Sequence, residues 1–496
     1  MSRDFTTMKL LFSNRGYGAM LVQVFFVMFI TTSVLANGDE HDHRAKLQEP
    51  NQRAIGTNTY TPQPKRKRIP IIVDTDMDID DMMALIVLLN NPDIEIKGIT
   101  VLSDGWSSQY AGVVQAMKLT QKYGQPDIPV AYMSGPLTGA TQLNTVAPPQ
   151  DLPPSAFKGG INTYLTESVF TAANLRPPAW QSADQLLDEV LHHAADMDEP
   201  IHILALGPWT NLARMLHRAS NTKQRPVLKG LGKLFVSGMS YAGATIQEVN
   251  TTAYVPFLNY SGIASVPTGS CWNIFSDPIS TSQVLMAIQV YNHQQQQQQN
   301  SSNTVEDDQT NTSITTTEDD HDHDPTVIIM SDIAEKMMFV DPDDDRYIPS
   351  SCPKEEANYL TAFYQKFASS GGQTDAKVRY WDPSSAVLLL DYFDLLPAVL
   401  DAYEEEDPDP AGSGRDQDPS EDEEDDEKNS SVTASLFCSE YQDIAVQVNV
   451  IAGPNYATTV RSDDYGTKSK ICLSAKEDIF KKVFFSSGCQ NWGTEK

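Results

Sequence analysis

Residues 69–81 read Ile-Pro-Ile-Ile-Val-Asp-Thr-Asp-Met-Asp-Ile-Asp-Asp, an apolar run followed by five carboxylates within eight positions. The apolar run predicts a buried strand, and residues 82–89 predict a helix directly after the acidic positions. Carboxylates this close repel one another, so such crowding persists mainly where a cation neutralises it or where water surrounds it. Open α/β sheets bind ligands at the carboxyl ends of their strands, and hard oxygen donors favour Ca²⁺ or Mg²⁺. The segment therefore predicts a strand and a helix with a metal site between them.

The alternation of short apolar strands with helices continues along the chain. Further strands are expected at 94–101, 128–132, 201–206 and 234–237, with helices at 109–123, 183–196 and 209–218. Strands separated by helices predict an α/β fold, with an open, mostly parallel, doubly wound sheet flanked by helices.

The composition divides the chain into a folded part and two polar insertions. Its 496 residues carry a net charge of −30, which excludes a general affinity for nucleic acid or anionic lipid, because both would repel it. Residues 291–325 hold six consecutive Gln and no Lys or Arg, and residues 404–428 hold 14 acids. Neither segment has enough apolar area to fold by itself. We expect one domain over 69–486 with disordered insertions at 291–325 and 404–428, and a tail at 487–496.

The N-terminus has the features of a secretory signal peptide. Basic residues precede an apolar stretch that ends in small side chains, which predicts cleavage after residues 1–36, with an uncleaved membrane anchor as the alternative. A disordered leader at 37–68 ends in Lys-Arg-Lys-Arg, for which a processing site fits secretion better than a nuclear signal. Five Cys residues and five Asn-x-Ser/Thr sequons fit an oxidising compartment. We expect a glycoprotein of the secreted or vacuolar (endomembrane) lumen, with no stable membrane span after cleavage.

Two other known uses of clustered aspartates fit the acidic segment less well. An EF-hand loop that began at Asp74 would need Gly at its sixth position and Glu at its twelfth, where Ile79 and Leu85 stand. A phosphatase with an aspartyl nucleophile also places Asp-x-Asp after a strand, as in Asp74-Thr-Asp76. That pattern usually has Thr or Val at the position of Asp78, and it does not explain the acids that follow.

Several further motifs resemble the nucleoside hydrolase family, in particular its inosine/uridine-preferring members. That family opens on Asp-x-Asp-x-x-x-Asp-Asp, which residues 74–81 match, although its usual Pro-Gly is replaced here by Met77-Asp78. The other matches are Asn91-Pro92, Gly98-Ile-Thr-Val101, Ile203-Leu-Ala-Leu-Gly-Pro-Trp-Thr-Asn-Leu212, Trp272-Asn-Ile-Phe-Ser-Asp-Pro278 and Trp381-Asp382-Pro383. Residues 446–485 resemble the family's last strands and helix. Because these motifs occur in the family's order, the chain is identified as a member, in a secreted branch with Trp-Asp in place of His-Asp.

The resemblance implies a calcium ion at the base of a pocket and hydrolysis of the N-glycosidic bond of ribonucleosides to free base and ribose. It assigns four metal ligands, which are Asp76, Asp81, Asp382 and the backbone carbonyl of Leu206. Asp76 is the implied general base on a metal-bound water that attacks the anomeric carbon. The implied ribose-binding residues are Asp80, Asn273 and Asp104. Trp106 and Trp381 are further substrate-binding candidates, because an aromatic ring can stack on the base, with a place in the core as the alternative for Trp106. The implied partner is a small nucleoside, and a homo-oligomer stays open because family members often form dimers or tetramers.

Two positions depart from the family. Trp381 stands where many members have the His that protonates the leaving base, a general acid typically worth about 10²–10⁴-fold in rate. Cys271 replaces a Glu two residues before the ribose-binding Asn. These changes leave a second hypothesis open, a catalytically weak nucleoside- or ribose-binding glycoprotein of the same fold.

Some residues in these motifs also have structural interpretations. Asp74 is expected to hydrogen-bond the loop after its strand, Asn211 to cap the helix in which it lies, and Asp277 to cap a helix over 278–290. Trp209 is expected to belong to the core.

Overall fold

A sheet of ten strands, built from the apolar runs of the sequence, lies at the centre of the molecule. The computed structural model describes residues 67–102, 107, 109–133, 181–221, 227–239, 241–245, 271–303, 325–331, 334, 338–340, 378–406, 435–450, 459–462 and 466–489. Its strands are β1 (Ile69–Thr75), β2 (Ile94–Val101), β3 (Val130–Tyr132), β4 (Ile201–Ala205), β5 (Leu231–Met239), β6 (Tyr241–Thr245), β7 (Thr326–Ser331), β8 (Phe339–Val340), β9 (Val378–Arg379), β10 (Cys438–Val448), β11 (Thr459–Arg461) and β12 (Thr467–Ala475).

The sheet reverses its direction of growth next to β1. The strand order is β3-β2-β1-β4-β5-β7-β12-β10-β11-β6, and β8 pairs separately with β9. Neighbouring strands run parallel from β3 through β12, whereas β10 is antiparallel to both β12 and β11. The chain moves outward from β1 to β3 and then returns to place β4 on the other side of β1. The predicted open, mostly parallel, doubly wound α/β sheet is confirmed, and its switch point lies between β1 and β4.

Helices cover both faces of this sheet. They are α1 (Ile79–Asn90), α2 (Gln109–Lys122), α3 (Ala183–Met197), α4 (Thr210–Asn221), α5 (Trp272–Ser276), α6 (Pro278–Asn303), α7 (Trp381–Tyr392), α8 (Leu396–Glu406) and α9 (Glu477–Cys489), with a 3-10 turn at Val227–Gly230. On β1, Ile71 and Val73 join one core with α1, α7 and α9, while Ile72 joins the other core with α3, α4 and α6. This alternation follows from the two-residue period of a strand that is buried on both faces.

Helix α6 is longer than the sequence predicts. It continues through the six consecutive Gln, so the prediction of disorder is wrong for residues 291–303. Gln has a good helix propensity, and Tyr291 is buried, so the helix enters the predicted insertion as part of the core. Asn292 Nδ2 also donates to the carbonyl of Pro325 at 2.9 Å, which ties the beginning of the segment to its end. Residues 304–324 lie outside the described part of the chain.

Other predicted boundaries fall at the edges of the described residues. Helix α8 contains residues 404–406 of the second predicted insertion, and α9 contains residues 487–489 of the predicted tail. The predicted signal peptide at 1–36, the leader as far as residue 66, and the remainder of the acidic insertion lie outside those residues. No helix of the described ranges is long and apolar enough to cross a membrane.

Two features hold residues 435–438 at the start of β10. The buried Cys438–Cys472 disulfide joins β10 to β12, with a Cα–Cα distance of 5.8 Å. The Asp391 carboxylate, near the end of α7, accepts hydrogen bonds from the backbone N–H groups of Leu436, Phe437 and Cys438 at 2.9–3.1 Å. It also accepts one from the Ser435 hydroxyl. The antiparallel end of the sheet is thereby fixed to the helical layer.

Candidate active site

The loop between β1 and α1 folds around Asp81. The Thr75 hydroxyl donates to one oxygen of Asp81, and the backbone N–H of Asp78 donates to the other at 2.9 Å. Thr75 Oγ1 also accepts the N–H of Met77 at 2.8 Å. These bonds turn the chain sharply, and Met77 has a φ of 53°. The carboxylate of Asp81 therefore faces the carboxyl end of β1.

Four carboxylates from two distant parts of the chain meet at this loop. Asp80, Asp81 and Asp382 each offer an oxygen atom, and these atoms lie within 4.8 Å of one another. Asp76 lies within hydrogen-bonding reach of Asp81. All four side chains are buried. Asp382 arrives in the first turn of α7, which packs against α1, so helix packing brings it to the loop.

Burial and mutual repulsion raise the pKa of these carboxyls. Burial is the largest cause of the raised pKa of Asp76, followed by the charge of Asp81. Burial, then the charges of Asp80 and Asp81, raise the pKa of Asp382, while a hydrogen bond from Ser237 lowers it. A dication at this place would remove the repulsion, and a donor set made only of oxygen fits a hard cation. The residues present therefore suit Ca²⁺ or Mg²⁺.

The backbone carbonyl of Leu206 lies on the other side of the switch point, directly after β4. The Leu206 N–H donates to the carbonyl of Asp74 at 2.8 Å, and the Leu206 carbonyl accepts from Asn273 Nδ2 at 2.6 Å. Gly207 brings this turn against the loop after β1, because a Cβ there would lie 2.8 Å from the backbone nitrogen of Asp76. The absence of a side chain at this position permits the close approach.

Asp277 ends the short helix that contains Asn273 and bonds the first residues of two neighbouring helices. Asp277 Oδ1 accepts the backbone N–H of Ser280 at 3.1 Å, and Oδ2 accepts the hydroxyls of Ser280 at 2.6 Å and Thr210 at 2.5 Å. The prediction that Asp277 caps the helix after it is confirmed. The bond from Thr210 additionally joins the start of α6 to the first turn of α4.

Asp74 has a different environment from the one that the sequence suggests. Its Oδ1 accepts the Thr100 hydroxyl of β2 at 2.5 Å and Asn211 Nδ2 of α4 at 2.7 Å. The expectations that Asp74 bonds the loop and that Asn211 caps α4 are therefore wrong, because the two side chains bond each other. Burial raises the pKa of Asp74 to about 7, although the bonds from Asn211 and Thr100 lower it.

Sequence reasoning missed three hydroxyl side chains that support the carboxylates. Thr75 bonds Asp81, and Ser237 bonds Asp382. Ser107 donates its hydroxyl to the carbonyl of Asp76 at 2.9 Å and its N–H to the same oxygen at 3.2 Å. Thr75 ends β1, Ser237 lies two residues before the end of β5, and Ser107 follows β2. These positions are a weak signal, because Ser and Thr are common where strands end.

The structure describes some of the remaining predicted site residues and not others. Trp381 is half-buried at the start of α7, directly before Asp382, and Cys271 is half-buried before α5. Asp104 and Trp106 lie outside the described residues. Trp209 is buried, which confirms its assignment to the core.

A buried carboxylate cluster at the switch point of a doubly wound sheet defines a class of α/β proteins that bind a small ligand at the carboxyl edge of the sheet. Within that class, the chain belongs to the inosine-uridine preferring nucleoside hydrolase family, whose family model matches residues 71–482. The resemblance carried by the sequence motifs is thereby confirmed.

The chain is similar to several curated relatives. It is 34% identical over 169 residues to uridine nucleosidase 1 of Arabidopsis thaliana, which covers 33% of this chain and 46% of the relative. It is 31% identical over 155 residues to the non-specific ribonucleoside hydrolase RihC of Klebsiella pneumoniae, covering 30% of this chain and 43% of the relative. The matched part thus spans about half or less of these relatives' length.

The fold is also similar to solved structures. A plant nucleoside hydrolase superposes with a TM-score of 0.51 at 15% identity, covering 85% of this chain and 99% of that chain. The inosine-uridine preferring nucleoside hydrolase of Bacillus anthracis gives a TM-score of 0.51 at 16% identity, with the same coverage. At these identities the similarity concerns the fold.

Proposed function

We propose that this protein hydrolyses the N-glycosidic bond of ribonucleosides in a calcium-dependent reaction, releasing the free base and ribose. The observation that carries the proposal is the buried carboxylate cluster at the switch point, where Asp80, Asp81 and Asp382 offer oxygens within 4.8 Å of one another. Family membership supplies the reaction class. The cluster supplies the groups that this reaction requires, an oxygen-lined cation site and a carboxylate beside it.

Each residue of the cluster has a separate part in the proposed reaction. Asp81, Asp382 and the Leu206 carbonyl would hold the cation together with Asp76. A bound Ca²⁺ would offset the negative charge of the cluster and acidify a water molecule. Asp76 would take a proton from the attacking water as the water oxygen bonds the anomeric carbon of the ribose. The N-glycosidic bond would break at the same carbon, and its electron pair would leave with the base, which then takes a proton from solvent. Ser107 bonds the backbone carbonyl of Asp76, which fixes the main chain from which this carboxylate extends.

The ribose is bound by polar groups around the same loop. Asp80, buried beside Asp81, would accept hydrogen bonds from ribose hydroxyls, and Asn273 would donate to them. Asn273 Nδ2 donates to the Leu206 carbonyl. A carbonyl oxygen has two lone pairs, so it can accept this bond and still face a cation. Asp104 and Trp106 complete the proposed substrate-binding set.

The proposed reaction also needs a group that activates the leaving base. Trp381 stands directly before Asp382, where the family resemblance implies a His, and an indole cannot protonate a base at neutral pH. We propose that Trp381 acts by stacking on the base. Uridine is the first nucleoside to test, because a relative that the chain resembles is named as a uridine nucleosidase.

A nucleoside panel tests the proposed function. Purified protein is incubated with calcium and with inosine, adenosine, uridine or cytidine, and the release of free base is followed by chromatography. We expect release from at least one nucleoside and its loss after treatment with EDTA. The Asp76→Asn variant should keep the far-UV circular dichroism of the unchanged chain and lose at least about 10²-fold in kcat. An Asp76→Asn variant with full activity would contradict the assignment of the base.

A second candidate function is supported by Trp381 and Cys271. The chain would then be a catalytically weak nucleoside- or ribose-binding glycoprotein of the same fold. The same panel separates the two candidates. Calorimetric binding of a nucleoside without release of base from any of them would favour the binding protein.

We further propose that the protein works in the secreted or vacuolar lumen, after cleavage of residues 1–36. The buried Cys438–Cys472 disulfide supports this location, because such bonds persist in oxidising compartments. Edman sequencing of the mature chain from a eukaryotic host should start at or after residue 37. Treatment with an N-glycosidase should lower its mass. A mature chain that begins at Met1 without glycans would contradict the proposal.

A further inference from the structure

Asp74 connects three elements through a single oxygen atom. Thr100 Oγ1 on β2 and Asn211 Nδ2 on α4 both donate to Asp74 Oδ1, at 2.5 Å and 2.7 Å. All three side chains are fully buried, and Asp74 Oδ2 has no hydrogen-bond partner within the described ranges. Asp74 is not one of the three carboxylates that converge within 4.8 Å. The reaction proposed above therefore leaves this buried carboxyl without a role.

The backbone of Asp74 also holds the turn that follows β4. Asp74 pairs with Ala205 in the parallel register of β1 and β4, and its carbonyl accepts the N–H of Leu206 at 2.8 Å. The turn that begins at Leu206 ends in the first turn of α4, where Asn211 bonds the Asp74 side chain. One residue thus fixes both ends of the short segment that carries the Leu206 carbonyl. No other ligand in the proposed cation site is a backbone atom.

We propose that Asp74 and Asn211 are a positioning pair for the Leu206 carbonyl. The pair would keep the turn after β4 in the place where this carbonyl can act as a cation ligand together with Asp76, Asp81 and Asp382. This inference rests on the proposed function, since it takes the Leu206 carbonyl as a ligand of the cation. Loss of the Asn211 amide releases one end of the turn and leaves the carboxylates in place. The expected result is weaker cation binding without the loss of any carboxylate ligand.

Thr100 provides a matched control. It bonds the same oxygen of Asp74 as Asn211, it is equally buried, and it lies on β2 rather than on the turn after β4. A Thr100→Val substitution removes one hydrogen bond to Asp74 at nearly constant side-chain volume. A purely structural role predicts similar effects of Thr100→Val and Asn211→Leu. A positioning role predicts that only the Asn211 variant changes cation binding.

The experiment measures calcium affinity by isothermal titration calorimetry, with the melting temperature and the split between kcat and KM as parallel readouts. The unchanged chain, Thr100→Val and Asn211→Leu are compared. We expect Asn211→Leu to weaken calcium binding about 10–100-fold, as found for groups that orient metal ligands. Thr100→Val should stay within about twofold of the unchanged chain on the same grounds. Equal calcium affinities of the two variants would overturn the inference.

Exchanging the acid and the amide between positions 74 and 211 gives a second test, which keeps the inference falsifiable if Asn211→Leu does not fold. Asn211→Asp places two buried carboxyls face to face and should weaken calcium binding. The double variant Asp74→Asn with Asn211→Asp restores a donor and an acceptor. The new amide NH₂ takes the place of Asp74 Oδ1, where one N–H donates to the new carboxylate and the other to the Thr100 hydroxyl, which can turn to accept it. Calcium affinity should return to within about tenfold of the unchanged chain. A double variant no better than Asn211→Asp would overturn the pairing.

The outcomes separate this inference from the proposed function. If the unchanged chain hydrolyses nucleosides with calcium and Asn211→Leu binds calcium normally, only the positioning role falls. If the unchanged chain neither binds calcium nor releases base, the proposed function and the positioning role fall together.

Discussion

At the scale of single residues, Met77 shows how this chain builds the acidic loop without the Pro-Gly that the family resemblance implies. Its φ of 53° lies in the left-handed region, whereas a proline ring fixes φ near about −65°. Its N–H also donates to Thr75, a bond that proline lacks. The Met77 side chain is buried and packs closely against Gly112. A Cβ added to this glycine would lie 3.1 Å from the Cβ of Met77. Packing and one hydrogen bond thus replace the conformational restriction of proline.

Trp381 allows a direct test of the missing general acid. The Trp381→His variant restores the His-Asp sequence that the family resemblance implies, and a placed imidazole can protonate the leaving base. We expect kcat to rise by as much as about 10²-fold, with a new dependence on pH near 6–7. The measurement is kcat against pH for the panel nucleoside that is cleaved fastest. Trp381→Phe is the control, since it keeps an aromatic ring without a titrating group, and equal profiles for both variants would contradict the prediction.

His202 makes the stability of the fold depend on pH. It lies near the amino end of β4, where its Nδ1 accepts the N–H of Lys233 at 2.9 Å and its ring packs 4.5 Å from that of Phe393. Burial lowers the pKa of His202 to about 4, with the charge of Lys233 as a smaller cause. In the unfolded chain His202 therefore takes up a proton near pH 6.5, whereas in the folded chain it stays neutral down to about pH 4. The stabilisation is complete above about pH 6.5 and is lost as the pH falls towards about 4.

The contribution of His202 can be isolated by comparing two variants. Between pH 7 and pH 4 the unfolding free energy of the unchanged chain should fall by about 2–3 kcal/mol more than that of His202→Gln. Urea titrations at several pH values measure the difference. His293→Gln, at an exposed position of α6, should follow the unchanged chain. A constant difference between the unchanged chain and His202→Gln at all pH values would contradict the prediction.

At the scale of elements, the antiparallel end of the sheet depends on a covalent link. Cys438 and Cys472 join β10 to β12 across 34 residues of sequence. The double variant Cys438→Ala with Cys472→Ala should lower the unfolding free energy by about 2–4 kcal/mol, because the unfolded chain regains the freedom of that loop. Urea unfolding with and without reductant measures this. Reductant should lower the stability of the unchanged chain and of a Cys271→Ala control by more than it lowers that of the double variant.

The elements that surround the site were largely predictable. The strand at 94–101 has the predicted bounds, and α1 and β1 each extend a few residues beyond theirs into the acidic positions. Apolar runs and helical periods are local signals, so the sequence alone reveals them. The sequence predicts too short a helix α6. The composition of the Gln run favours disorder, and it does not reveal that the run continues a helix that is already packed. Tertiary contact at Tyr291 decides this case.

At the scale of the whole molecule, we expect the acidic insertion that the sequence predicts to be separable from the fold. Residues 407–434 hold 11 acids and two bases, and directly after them Asp391 binds three backbone N–H groups. Replacing 407–434 by a short Gly-Ser linker should change the melting temperature by less than about 4 °C, since a disordered insertion contributes little to stability. Nucleoside hydrolysis and calcium affinity should be retained. Asp391→Ala is the contrasting variant, and it should lower the melting temperature more than the deletion does.

The sequence by itself determined the class of the fold, the family and the acids of the first motif. Asp76, Asp80 and Asp81 stand within six positions, so local spacing was enough to single them out. Asp382 became a candidate through the family resemblance, because no local pattern connects it to residues three hundred positions earlier. The order of the motifs, which is a one-dimensional property, was sufficient for these conclusions.

Only the tertiary structure decided which side chains hold the site together. Asp74, Thr100 and Asn211 come from three motifs, and they meet because β1, β2 and β4 are neighbours around the switch point. Ser237 likewise reaches the Asp382 carboxylate, and Ser107 reaches the backbone carbonyl of Asp76, through the packing of separate elements that the sequence does not encode locally. A buried hydrogen bond depends on the relative placement of separate elements, which is set by the packing of the whole core. For that reason the candidate ligands were visible in the sequence, while most of the side chains that bond them appeared only in the folded chain.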